Sequence, residues 1–157
     1  MNLTNNHIVR TFIAWFDSES IQTDKHEGVA WLRVVPFIGL HIACLLVFVV
    51  GFSWVALVAL LVTYSIRMFA ITGFYHRYFS HKTFKTHPWM ENLFAFIGAS
   101  SAQRGALWWA SHHRKHHKYS DTTLDLHSPI HGFMQSHMAW FLNHHAFATD
   151  YTTIQDF

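Results

Sequence analysis

The chain has 157 residues, of which 51% are hydrophobic, 17% aromatic and only 13% charged, with a net charge of +2. Such a length supports one modest domain, and the charged fraction is about half that of ordinary soluble domains. The small, dispersed positive balance excludes a nucleic-acid surface, and a single cysteine, Cys44, excludes a disulfide scaffold or a thiolate zinc cluster. Histidine is the outlier: its 15 copies outnumber the 11 of Lys and Arg together.

Residues 1–29 are polar, with Asp17, Glu19, Asp24 and Glu27 scattered among them, and lack the pattern of a cleavable signal. They are expected to form a cytoplasmic N-terminal segment ahead of one domain over 30–157. Between Arg33 and Arg67 no Asp, Glu, Lys or Arg occurs. A span needs about 20 apolar residues, so this stretch accommodates a transmembrane hairpin of two helices, over residues 30–50 and 53–75. The break falls at Gly51-Phe52-Ser53-Trp54, where glycine punctuates and tryptophan suits an interface. Cys44, within the first helix, reads as a buried, inert thiol.

Charges orient the hairpin. Arg10, Lys25 and Arg33 precede it, Arg77, Lys82 and Lys85 follow it, and the turn has none, so both termini and the His-rich regions are expected in the cytoplasm. His76 lies 23 residues beyond Ser53, or about 35 Å at helical rise, just past a hydrocarbon core of about 30 Å. Arg67 falls short of that surface and is expected to snorkel. Residues 89–109, opened by Pro88, are apolar but carry Glu91, Asn92, Gln103 and Arg104. Because this segment must return His113 to the side of His76, a helix lying in the interface fits better than a third span. Beyond His112 the chain is polar and rich in histidine, with a turn at Ser128-Pro129. The expected fold is all-α: an integral membrane hairpin, an interfacial helix and a cytoplasmic His-rich helical region.

Five histidines carry the chemistry: His76-x4-His81 and His113-x2-His116-His117. The second set has i, i+3, i+4 spacing, so on a helix all three can face one point, with their ligand nitrogens converging on one or two ions. His76 and His81 stand about 140° apart on an ideal helix, so the helix is expected to end or bend between them. Neutral imidazoles without a thiolate suit iron, copper, nickel or zinc. His112 is expected outside the ligand set, supporting it. Asp121 and Asp125 either accept the outer ring N–H of a ligand or serve as caps in a solvated loop. His127, His131 and His137 are expected to be structural or supporting, and His7, His26, His41 and His87 have no assigned role.

At these residues the chain resembles the membrane-bound fatty acid desaturases, in particular the delta-9, stearoyl-CoA type. The matching text is Gly73-Phe-Tyr-His-Arg-Tyr-Phe-Ser-His-Lys-Thr-Phe-Lys, Trp109-Ala-Ser-His-His-Arg-Lys-His-His-Lys-Tyr-Ser-Asp and Gly132-Phe-Met-Gln-Ser-His-Met-Ala-Trp, within residues 30–142. The resemblance implies an oxygen-dependent enzyme with two iron ions that introduces a cis double bond into a saturated acyl-CoA or acyl-lipid chain. It implies His76, His81, His113, His116 and His117 as iron ligands, and Gln103 and Trp109 at the bend of a buried acyl tunnel. It further implies a cytochrome b5-like or ferredoxin-like electron donor, O2 as co-substrate and the lipid bilayer as surroundings.

The chain departs from that pattern in three places. The family's third box, His-x2-His-His, has no counterpart, since Asn143-His144-His145 has Phe141 at the leading position. Many relatives carry Asp-Pro-His where this chain has Asp125-Leu126-His127, and His144 and His145 replace a basic pair, which leaves the acyl carrier open. Two ions need more than five donors, so the chain is expected to be an N-terminal portion, inactive alone. The competing expectations are a metal-binding membrane remnant without activity, and a related lipid or alkane hydroxylase.

Overall fold

A computed structural model describes residues 28–157. Most of the segment expected over 1–29 therefore lies outside the described residues. Within them the chain is helical and has no strand, apart from one isolated antiparallel bridge between Val29 and Asn143.

Helix α1 spans Trp31–Cys44, contains Pro36, and resumes after a two-residue turn as Val47–Val50. Gly51 ends it at φ 74°, a left-handed conformation that glycine adopts without a Cβ penalty. Ser53 then caps α2, its Oγ accepting from the Ala56 N–H at 3.4 Å. Helix α2 runs over Trp54–Phe69 and continues without a break into π-helical winding over Ala70–Ser80. The expected turn is thus in place, while the second helix runs five residues past its expected end at 75.

The continuous helix Trp54–Ser80 is long and apolar enough to cross a membrane; Val34–Val50 is apolar but shorter. Among the described residues one helix, not two, meets that test. No residue of Trp54–Phe69 is buried, so this apolar helix finds no cover among the described residues.

Helix α3 covers Pro88–Ala99, with proline at its start, where the missing N–H costs nothing, and Glu91 in its first turn. Helix α4 covers Ala106–Tyr119. The single helix expected over 89–109 is therefore corrected to two helices with a turn between them. Ser100 closes α3 by bonding back to the Phe96 and Ile97 carbonyls, and Ala102 and Arg104 take φ of 59° and 64°, which no helix can contain. As a result Trp109 sits on the same helix as His113. Beyond Tyr119 the chain proceeds in short turns, among them Pro129–His131, Gln135–Ala139, Trp140–Leu142 and Tyr151–Thr153.

The core lies where the π-wound segment meets α3 and α4, built from Phe74, Tyr75, Phe79, Ala106, Ala110 and Ile154. Phe74 stacks on Phe94 at 4.1 Å between centroids. Tyr75, fully buried, donates its hydroxyl to the Ala95 and Arg104 carbonyls at 2.9 and 3.0 Å. Gly98 makes this approach possible, since a Cβ there would lie 2.3 Å from the Tyr75 ring. Tyr75 thereby fixes the backbone beside His76 against both α3 and the 100–105 turn. Cys44, expected to be buried, is exposed instead, because it lines an open cavity rather than packing into the core.

Candidate metal centre

The π-winding of Ala70–Ser80 explains the spacing of the first histidine pair. In this winding the N–H of residue i+5 bonds to the carbonyl of residue i, and His81 N–H bonds to His76 O at 3.2 Å. A residue five positions on is thereby brought beneath its predecessor, and the two rings lie 4.7 Å apart. The helix does end between the two histidines, at Ser80, but the winding rather than a bend pairs them.

Across the contact with α4, His81 Nε2 lies 3.1 Å from His113 Nε2, which lies 3.0 Å from His117 Nε2. His76, His81, His113 and His117 each offer one nitrogen, all within 4.8 Å of one another. Burial, reinforced by the neighbouring histidines His117, His76, His81 and His116, pushes His113 down to about 3. Burial also lowers His81, with His76, His117 and Arg114 adding to the effect. The shared cause favours neutral rings, the form in which imidazole ligates.

His113 Nε2 stands 3.0–3.1 Å from two other ring nitrogens, which imidazole alone does not satisfy, because that one atom offers either a single N–H or a single in-plane lone pair. Donors about 2.1 Å from one ion and at right angles to each other stand about 3.0 Å apart. The donor set thus fits a transition metal with neutral nitrogen ligands in neighbouring positions, leaving other positions open.

His116 does not join this group, so of the one or two convergence points open to the α4 histidines the structure shows two. At about 100° per residue, His116 and His117 fall on opposite sides of His113, by about 60° and 40°. His116 Nδ1 donates to Asp125 Oδ2 at 2.9 Å and its ring stacks on His127 at 4.0 Å. His116, Asp125 and His127 form a second group whose ligand atoms lie within 4.8 Å of one another. Asp125 is 3% exposed and also accepts from the His127 backbone N–H at 3.3 Å. Its backbone carbonyl pairs with His131 Nε2 at 3.0 Å. Of the two candidate carboxylates only Asp125 reaches an imidazole; Asp121 is exposed in a turn at φ 61°.

The remaining histidines sort by position. His112 is buried, packs on Trp108 and pairs with the Ala148 carbonyl at 3.2 Å, and burial pushes it down to about 4. It anchors α4 to the later loop and does not touch the cluster. His137 stacks on Phe133. His144 and His145 join neither group.

A cavity of about 580 Å³ opens beside the first group, lined by Phe37, Leu40 and Cys44 of α1, by Gln103 and Trp109, and by His113. Its size falls in the usual range for small-molecule sites. Trp109 Nε1 donates to Gln103 Oε1 at 3.1 Å, and the indole stacks on His113 at 4.6 Å. Three features had no counterpart in the sequence reading: the π-winding, the pairing of His116 with His127, and the Tyr75–Gly98 lock. The first did leave a signal, because an i, i+5 histidine pair has the hydrogen-bond period of a π-turn.

The profile of the fatty acid desaturase family matches residues 52–156. The chain is 39% identical over 127 residues to an acyl-CoA 5-desaturase of Anemone leveillei, covering 74% of this chain and 39% of that protein. It is 36% identical over 127 residues to an sn-1 stearoyl-lipid 9-desaturase of Anabaena variabilis, covering 80% and 47%. With a delta-9 acyl-lipid desaturase of Arabidopsis thaliana it shares 40% identity over 100 residues, covering 64% and 32%. The chain therefore spans less than half the length of these relatives. No solved structure matches it significantly.

Proposed function

The chain belongs to the fatty acid desaturase family, and on that premise we propose that it supplies part of an oxygen-dependent di-iron site that introduces a cis double bond into a saturated acyl chain. The observation that carries this reading is the convergence of His76, His81, His113 and His117 beside an apolar cavity. These four residues would hold one iron ion, and His116 would contribute to a second. Bound iron supplies dioxygen activation and hydrogen removal from an unactivated C–H bond, chemistry that no side chain here provides.

The chain's own residues bind and orient. Phe37, Leu40 and Trp109 offer the acyl chain an apolar wall. The Gln103–Trp109 bond holds the indole in one rotamer against His113, so a chain lying along the cavity is bent at that ring and brought beside the four nitrogens. Asp125 accepts a hydrogen bond from His116 Nδ1–H, which fixes the tautomer and leaves Nε2 as the atom that would ligate. The double bond is assigned to the delta-9 position, which the Anabaena and Arabidopsis relatives carry in their names. The carrier is an acyl-CoA or an acyl-lipid, as among those relatives, and electrons arrive from a cytochrome b5-like or ferredoxin-like protein.

Residues 30–50 pair in the bilayer with the second helix, which runs past 75 to Ser80, and residues 1–29, both termini and the His boxes lie on the cytoplasmic side. The uncharged turn at Gly51 and the cations flanking the hairpin support this orientation.

The test is metal analysis joined to turnover. With carrier, reductant and O2, the purified 157-residue chain is expected to bind iron and to leave a labelled saturated acyl substrate unchanged, because the donors gathered here supply four nitrogens for one ion and only part of a set for a second. Robust conversion by this chain would overturn the second expectation, and an alcohol product would assign a hydroxylase. A single labile ion per chain that never cycles with reductant would favour chelation over catalysis.

A further inference from the structure

Arg114 lies inside the second histidine motif yet faces away from the cluster, on the side where α4 meets the end of the π-wound segment. All five of its N–H donors are used. Nε donates to the Ser80 carbonyl at 2.8 Å, and Nη2 to the Phe79 carbonyl at 3.0 Å and Asp156 Oδ2 at 2.9 Å. Nη1 donates to the Thr153 carbonyl at 2.8 Å and Asp156 Oδ1 at 2.6 Å.

The Phe79 and Ser80 carbonyls belong to the last turn of a helix and have no partner within it, so a cation there also meets the negative end of the helix. Ser80 adjoins His81, and Arg114 adjoins His113. One guanidinium thus ties together the backbone segments that carry the two halves of the four-histidine group. Asp156 completes it as a bidentate partner, held near the Arg114 charge and down to about 2 by that hydrogen bond.

We infer that Arg114, clamped by Asp156, is a positioning residue that sets the distance between His81 and His113 in the four-histidine group. The inference rests on the reading of that group as a metal site. It differs from general packing because lysine keeps the charge but has no planar fork to reach two adjacent carbonyls and a carboxylate at once.

The test uses the full 157-residue chain in detergent micelles, titrated with Co2+ and followed by visible absorption. Arg114→Lys is expected to weaken Co2+ binding by about tenfold to a hundredfold, the range for groups that orient ligands without touching the metal, and to change the band shape. Asp156→Asn should lose less, and Lys115→Met, which breaks the 2.7 Å pair between α4 and Asp150 of the later loop, should change neither affinity nor spectrum. A second measurement needs no metal. Hydrogen exchange at His81, Lys82 and Thr83, whose amides bond to His76, Tyr78 and Arg77, is expected to accelerate in Arg114→Lys while α4 amides stay protected.

Wild-type affinity and spectrum in Arg114→Lys, or unchanged exchange at 81–83, would overturn the inference. A wild-type chain that binds no Co2+ would sink the metal reading instead, and the exchange result would then decide Arg114 alone. If Arg114→Lys does not fold, Asp156→Asn, which retains the three carbonyl bonds, carries both measurements.

Discussion

On one face of α4, His113 and His117 meet His76 and His81 across a helix–helix contact more than thirty residues away in sequence. On the other, His116 meets Asp125 and His127 from the loop that follows its own helix. The first group is all nitrogen and gathers four donors. The second mixes one carboxylate with two imidazoles, and the carboxylate is already engaged in orienting a ring. Adjacent histidines on one helix therefore serve two different environments, and the geometry of the helix decides which serves which. The first group depends on tertiary packing being correct to fractions of an ångström, whereas the second is assembled locally.

The largest effect should come from His113→Ala, which removes the nitrogen common to both short contacts. Co2+ binding at the first group is expected to fall by roughly a hundredfold or more, since losing a ligand exceeds the loss of an orienting group. His116→Ala should leave that binding unchanged, and equal losses in the two variants would dissolve the division into two groups. Next, Asp125→Asn is expected to reduce affinity at the second group by about tenfold to a hundredfold while sparing the first, as read by metal stoichiometry at limiting ion. An effect on the first group would mean that the two communicate.

Acid should act on the buried rings. His113 and His112 are pushed by burial to about 3 and about 4, so the folded chain binds fewer protons than the unfolded chain below the ordinary histidine value of about 6.5. Their contribution to stability is complete above that pH and is lost progressively as pH falls through it toward 4 and 3. Helicity of the metal-free chain followed by circular dichroism should decline over that window. In His112→Gln the decline should be shallower, and an unchanged curve would count against the buried neutral ring. The smallest effect is assigned to Trp109→Phe, which deletes the bond to Gln103 but keeps an aromatic wall. One neutral hydrogen bond is worth about 1 kcal/mol, so acyl-chain affinity measured with a fluorescent fatty acyl probe should fall by about fivefold, with Co2+ binding intact.

The parts that were legible in the sequence are those governed by local chemistry. The turn at Gly51 and Ser53, the opening of α3 at Pro88, and the helical placement of His113, His116 and His117 follow from residue type and spacing, and each is present. The four donors of the first group and His116 were identifiable, because imidazoles at such density beside an uncharged stretch have few other uses, whereas His127 was not. Their partition was not identifiable. An ideal helix separates His76 from His81, and only the π-winding reunites them. The continuity of 89–109 was also misjudged: its apolar character persists through residues 100–105, and the left-handed conformations of Ala102 and Arg104 leave no mark in a hydropathy pattern.

By itself the sequence determined which side chains are available, that the chain is helical, that it carries a helix fit to cross a membrane, and the family to which it belongs. Composition, periodicity and motif spacing are properties of the chain alone. The tertiary structure decided which nitrogens converge, which carboxylate reaches a ring, and that Tyr75 and Arg114 fasten the two halves of the first group. Those outcomes depend on contacts between segments remote in sequence, where the winding decides which face of the helix a ring takes and a Cβ at Gly98 would collide with the Tyr75 ring beside His76.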